Sequence, residues 1–131
     1  MRTLHIRSHK LVEMIDITRD VCETIGEHNV TKGLAVIFTP HTTAAITINE
    51  NADPDVCHDM LMEINKLIPL QDGYRHLEGN SAAHLKSSLL GASETVIITN
   101  GEVVLGTWQG IYFCEFDGPR KRQVQIQIIG R

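Results

Sequence analysis

Polar and apolar residues alternate from the start of the chain. In "RTLHIRS", Leu4 and Ile6 share one face, which predicts a first strand, and "LVEMIDI" (11–17) predicts a second. The period then becomes helical. Val21, Cys22 and Ile25 give a buried side to a helix capped by Thr18, with Asp20 and Glu23 in its first turn, where negative charge favours the positive end of the dipole. "GLAVIFT" (33–39) is a nearly continuous apolar run and predicts a central strand covered on both faces. In "HTTAAITINENADP" (41–54), Ala44, Ile46 and Ile48 face the core, while His41, Thr43, Ala45, Thr47 and Asn49 share the other side. Asp53-Pro54 then starts a helix, with Asp at the cap and Pro at the first helical position. Val56, Cys57, Met60, Leu61, Ile64 and Leu67 lie along one side of it.

Residues 69–80 read as a polar loop. "SAAHLKSSLLG" (81–91) predicts a short helix capped by Ser81 and ended by Gly91, with Leu85 and Leu89 on its apolar side. "ETVIITNGEVVLG" is a hairpin, because Asn100-Gly101 supplies the positive φ angles of a type I′ turn. "TWQGIYFCEFD", a basic turn "GPRKR" and "QVQIQII" (123–129) complete the pattern, with Val124, Ile126 and Ile128 inward. Strands dominate the last third, so the fold class is α+β with a mostly antiparallel sheet rather than a βαβ repeat.

The remaining sequence properties narrow the class. At 131 residues, with 42% hydrophobic and 21% charged content, residues 1–131 read as a single globular domain. A formal net charge of -4 argues against a general nucleic-acid binder. There is no long apolar run or signal-peptide pattern, so no membrane partner is expected. Three cysteines, Cys22, Cys57 and Cys114, without CxxC spacing favour reduced thiols in a cytoplasmic protein.

Candidate chemistry concentrates at a few positions. His41 follows Pro40 at a strand entrance, and on a straight strand lies about 27 Å from Asn49 at ~3.3 Å per residue, so one site uses both only if the strand bends or subunits meet. His84 points away from Leu85 and Leu89, and His76 in the preceding loop is able to converge with it. With His41 they make three imidazoles suited to a zinc-like metal; as a spacing motif the set is weak, and His84 by itself reads equally well as a surface histidine. Lys86, beside the apolar stripe, wants a phosphate or carboxylate, or else extends its stem to solvent. Glu115 and Asp117 project from one strand face next to Arg120, Lys121 and Arg122. They read as acid–base carboxylates beside a phosphate-binding turn or, more simply, as solvated ion pairs. Trp108, with Gln109 in "GTWQG", is either a pocket wall or core.

Taken together, "HTTAAITINENADP", "YRH…GNSAAHLKSSLLG" and "GTWQGIYFCEFDGPRKR" resemble the YjbQ-like family, in order and over essentially the whole chain. The resemblance implies a curved, half-barrel-like sheet, a homotrimer and sites near subunit boundaries. It places the family's motif histidines at His41, His76 and His84, and other recurrent positions at Asn49, Asp53, Asn80, Lys86, Glu115, Asp117, Gly118 and Arg120. Members are often labelled secondary thiamine-phosphate synthases, which join a hydroxymethylpyrimidine diphosphate to a thiazole phosphate and release diphosphate. On that reading Glu115, Asp117, Asn49 and Asp53 are catalytic. Asn80, Lys86, Trp108, Gln109, Arg120 and Arg122 bind the phosphorylated ligand, and magnesium assists the leaving group. Magnesium prefers oxygen ligands, so a three-histidine site fits it poorly. Two further readings stand beside it: a metal-dependent hydrolase with a three-histidine site, and a non-catalytic trimer that binds a metal or small ligand.

Overall fold

The computed structural model describes residues 1–131. Eight strands and three helices follow in the order β1 (Arg2–Arg7), β2 (Glu13–Asp16), α1 (Thr18–Gly26), β3 (Lys32–Phe38), β4 (Ala44–Glu50), α2 (Pro54–Leu67), α3 (Ser81–Leu90), β5 (Ser93–Thr99), β6 (Glu102–Val104), β7 (Gln109–Glu115) and β8 (Lys121–Gly130). They form a five-stranded sheet, β1-β8-β3-β5-β6, and a three-stranded sheet, β2-β7-β4, in which every pairing is antiparallel. The chain is therefore a small α+β domain with a curled antiparallel half-barrel sheet and three helices.

The three-stranded sheet is the middle layer. Its inner residues Ala44, Ile46, Ile111 and Phe113 meet Ala35, Ile37, Val96, Ile98, Val124 and Ile126 of the larger sheet, and Ile17, Val21 and Ile25 from α1 and its entrance. Its other face carries Ala45, Tyr112 and Cys114, covered by α2 and α3. Strand β7 is thus buried on both sides. The expectation that β3 is covered on both faces is wrong: Ala35 and Ile37 are buried, but Leu34 and Phe38 stand exposed on the outside of the sheet. An unbroken apolar run does not say what covers each face.

Local chemistry sets the turns and helix starts. Asn100 and Gly101 have φ of 53° and 78°, so the type I′ hairpin forms where the dipeptide permits it. Asp53 caps α2, accepting from the Asp55 N–H at 2.9 Å, with Pro54 at the first helical position. The other two expected caps are not caps. Thr18 and Ser81 are the first helical residues, and neither preceding residue, Ile17 or Asn80, makes a side-chain cap bond. The Thr18 hydroxyl instead donates to Asp16 and accepts from the Ile111 N–H, tying α1 to β7.

Helix α3 reverses its expected orientation. It buries Ala82, Ala83, Lys86 and Ser87 and exposes Leu85 and Leu89. Small residues let the helix lie close on β4, where the Ser87 hydroxyl donates to the Ala44 carbonyl at 2.5 Å. Helix α2 keeps only part of its predicted stripe: Val56, Cys57, Met60, Leu61 and Ile64 are half-buried, while Leu67 in the last turn is 74% exposed.

Candidate functional site

The two sheets are bolted together by a buried ion pair. Glu115, at the end of β7, is fully buried, and Arg122 in β8 is 5% exposed. Arg122 donates to both Glu115 carboxylate oxygens and, through its second terminal nitrogen, to the Thr43 hydroxyl at 2.8 Å. Ser8 adds a 2.6 Å bond to Glu115, and the Asp117 N–H another at 3.1 Å. Burial pushes the Glu115 carboxyl up, but these donors outweigh it and hold it below the ordinary carboxylate value. Gly118 lets the chain pass: a Cβ there would stand 2.8 Å from both Glu115 Cγ and Ser8 Oγ.

Above this pair lies a cleft of about 440 Å³ with no hydrophobic residue in its lining. His41 and Thr43 come from the entrance of β4, His76 and Glu78 from the loop before α3, Asn80 and His84 from the start of α3, and Asp117, Arg120 and Arg122 from the end of β7 and the start of β8. The His76 and His84 rings meet edge to face, with centroids 5.5 Å apart. Asp117 accepts from Asn80 at 2.9 Å and from Arg120 at 3.0 Å, and the Arg120 Nε donates to the Asp117 carbonyl at 2.7 Å. The Asn80 amide nitrogen must face Asp117, which leaves its buried Oδ1 without a donor. The His41 Nε2 accepts from the Gln123 N–H at 2.9 Å, so its proton sits on Nδ1. Burial, then the Arg122 charge, lowers the His41 pKa and favours that neutral ring.

His41, His76, His84, Asn80, Asp117, Arg120 and Arg122 are thus brought together in one cleft. The others are not. Lys86 faces a different cavity and donates to Asn65 Oδ1 at 2.5 Å. Asn49 sits at the far end of β4, its side chain accepting from the Glu50 N–H, and Asp53 is spent as a helix cap. Trp108 is 62% exposed in the turn before β7, and Gln109 closes that turn by accepting from the Gly106 N–H. Glu115 is a catalytic candidate no longer, because Arg122 and Ser8 occupy its oxygens and no surface of it is exposed. The histidines line one cleft but do not form a metal centre as placed. No group of three or more His, Cys, Asp or Glu residues is arranged to hold a metal, and His41 has one nitrogen committed to Gln123. Asp117 is likewise engaged by Asn80 and Arg120, so magnesium finds no free pair of carboxylates. The contributions the sequence reading missed are Thr43, which fixes Arg122, and Ser8, which is 107 residues from its partner Glu115.

A half-barrel α+β domain whose sheets join beneath a polar cleft of histidines and arginines defines a recognisable class of small protein. The chain belongs to the family described as UPF0047 protein YjbQ-like, whose model matches residues 2–131. It is 56% identical to the UPF0047 protein YugU of Bacillus subtilis over 131 residues, covering 99% of each chain. It is 55% identical over 125 residues to a UPF0047 protein of Methanocaldococcus jannaschii, covering 95% of this chain and 91% of that one. A crystal structure of a family member from Clostridium acetobutylicum superimposes with a TM-score of 0.97 at 52% identity, covering 98% of this chain and 100% of that one. A second, from Sulfolobus solfataricus, gives 0.96 at 31% identity, covering 99% and 96%, and is described as a YbjQ-like protein of unknown function.

These relatives correct the functional expectation. Proteins this similar over nearly their whole length carry the family designation and no activity, so neither thiamine-phosphate synthesis nor hydrolysis has support from them, and both readings are withdrawn. The geometry removes part of their basis as well, since Lys86 lies outside the cleft and the histidines are not set as metal ligands.

Proposed function

We propose that the cleft is a proton-transfer site for a small anionic molecule that also carries a hydroxyl or amino group. The observation that carries this reading is the edge-to-face His76–His84 pair beside the Asp117–Arg120 pair in one mostly polar cleft. Arg120 spends two N–H groups on Asp117 and keeps donors for an anion such as a phosphate or carboxylate. A turn of the Asn80 amide toward the cleft brings its buried, unpartnered Oδ1 within reach of a hydroxyl or amine on the same molecule. One imidazole, in its neutral form, takes a proton from a carbon or oxygen of the molecule, and its neighbour, entering as the imidazolium, gives one back, which is general acid–base chemistry. His41, with its proton on Nδ1, donates a hydrogen bond from the opposite wall.

Two measurements test this. Inorganic phosphate added to the wild type should shift the ring C–H resonances of His76 and His84 saturably, and Arg120→Ala should abolish the shift. A panel of hydroxy acids and sugar phosphates in D₂O should then show catalysed C–H exchange that His84→Ala removes. No exchange by the wild type with any member that binds rejects the acid–base reading.

A homotrimer is part of the same proposal, supported by the outer face of the five-stranded sheet. Ile129 pairs with Leu34, Leu34 with Ile97, and Ile97 with Val104, so one apolar row crosses four strands. Their exposures are 67%, 46%, 55% and 51% in that order, and a continuous row of that kind is a surface that soluble chains bury in assembly. Analytical ultracentrifugation should give three times the 14.6 kDa chain mass, and Ile97→Lys should reduce it to one. A wild-type monomer at micromolar concentration removes the assembly.

A further inference from the structure

The position of Lys86 raises a separate question. Its side chain is only 4% exposed, yet no carboxylate pairs with it. Its one hydrogen-bond partner is the neutral amide oxygen of Asn65, and its ammonium stands 5.8 Å from the centre of the Phe116 ring. An ammonium has three donors, so two are left for something else. A cation taken out of water is normally paired, because neither one amide nor one ring face replaces its hydration.

Beside it opens a cavity of about 300 Å³, lined by Leu11 and Val12 from the segment between β1 and β2, Leu70 after α2, and Phe116, with Asn65 and Lys86 as its polar groups. No acidic residue lines it. The cavity is therefore apolar at its walls and positive at one fixed point, and Leu11 and Leu70, 46% and 50% exposed, form its rim. Its volume is at the lower end of the range for small-molecule pockets. Helix α3 separates it from the polar cleft: His84 faces the cleft, while Lys86 faces this cavity.

We propose that this cavity is a second binding site, for a small apolar monocarboxylate whose carboxylate pairs with Lys86 and whose hydrocarbon part lies against Leu11, Leu70 and Phe116. The charge selects the acid, since an alcohol or amide of equal size leaves the ammonium unpaired. The volume selects a short chain or a single ring. The site is independent of the proton-transfer reading of the cleft, and either stands without the other.

Hexanoate is the probe, with hexanol as its uncharged counterpart and acetate as the acid without the chain. Calorimetry and methyl NMR on the whole protein should show saturable hexanoate binding with shifts at Leu11 and Leu70, and at least tenfold weaker binding of hexanol and acetate. Lys86→Met should weaken hexanoate at least tenfold. Should that variant not fold, Leu70→Glu decides, because position 70 is half exposed and a carboxylate at the rim competes for Lys86 and repels the ligand. Arg120→Ala, across the helix, should leave hexanoate affinity unchanged, which separates this site from the cleft. Absence of saturable binding by the wild type overturns the proposal. So does hexanoate affinity that survives both Lys86→Met and Leu70→Glu, or that falls with Arg120→Ala.

Discussion

The two ends of β4 carry similar polar residues and do different things. At its entrance, Thr43 belongs to a network in which a buried arginine and a buried glutamate neutralise each other and join the two sheets, and His41 beside it accepts from the Gln123 N–H of β8. At its exit, Asn49 and Asp53 are exposed and bond to backbone N–H groups one or two residues away. A polar side chain in water has its hydrogen bonds satisfied already and changes little when it finds a local partner. One removed from water must be held by several groups at once, and those groups then have fixed positions. A cleft with defined geometry arises at the first end and not at the second for that reason.

The largest expected effect tests the buried end. Glu115→Gln leaves Arg122 charged and buried without its partner, and should destabilise the fold by about 3–5 kcal/mol in urea unfolding. A loss below about 1 kcal/mol would mean that Thr43 and water carry the guanidinium, and the contrast between the two ends would fail.

Next in size is the response to acid. Glu115 has a folded pKa below its ordinary value of 4.5, so its stabilisation is fully present above that value and is lost as pH falls through the lower, folded one. His41 also has a lowered pKa, so below 6.5 the unfolded chain takes up a proton more readily than the fold does, and stability again falls with acid. The wild type should therefore lose stability first below about pH 6.5 and again below about 4.5. His41→Gln should flatten the first decline. An unchanged profile in that variant would show that His41 is not held neutral.

At the exposed end, Asp53→Ala removes a helix cap and should cost about 1 kcal/mol, with no change in the phosphate-induced histidine shifts of the cleft. Altered shifts would connect the two ends. The smallest effect is expected for Asn49→Ala and His84→Ala, each within about 0.5 kcal/mol of wild type. They should separate by function instead: His84→Ala loses the exchange activity, and Asn49→Ala keeps it.

Some of this was written locally. Asn100-Gly101 and Asp53-Pro54 act over two or three residues, so the hairpin and the start of α2 were legible without knowing what surrounds them. The alternation in β8 likewise placed Val124 and Ile126 in the core. The resemblance of the motifs identified the family, and three histidines, Asn80, Asp117 and two arginines among the expected site residues line one cleft.

What depended on distant partners was not legible. The face that α3 buries was misjudged because β4 accepts a helix with alanine and serine at the contact, and hydrophobicity alone favoured its leucines. Lys86 was grouped with Arg120 because both are basic, whereas helix geometry sends it to another cavity. Glu115 was read as chemistry because its spacing with Asp117 says nothing of Ser8 and Arg122, which reach it from the other sheet. The sequence by itself determined the elements, their order and the family, since these follow from short-range backbone preference and the period of apolar residues. Only the tertiary structure decided which charges are buried and which remain open to a ligand, because desolvation is a property of everything that surrounds a side chain, and most of what surrounds these comes from elsewhere in the chain.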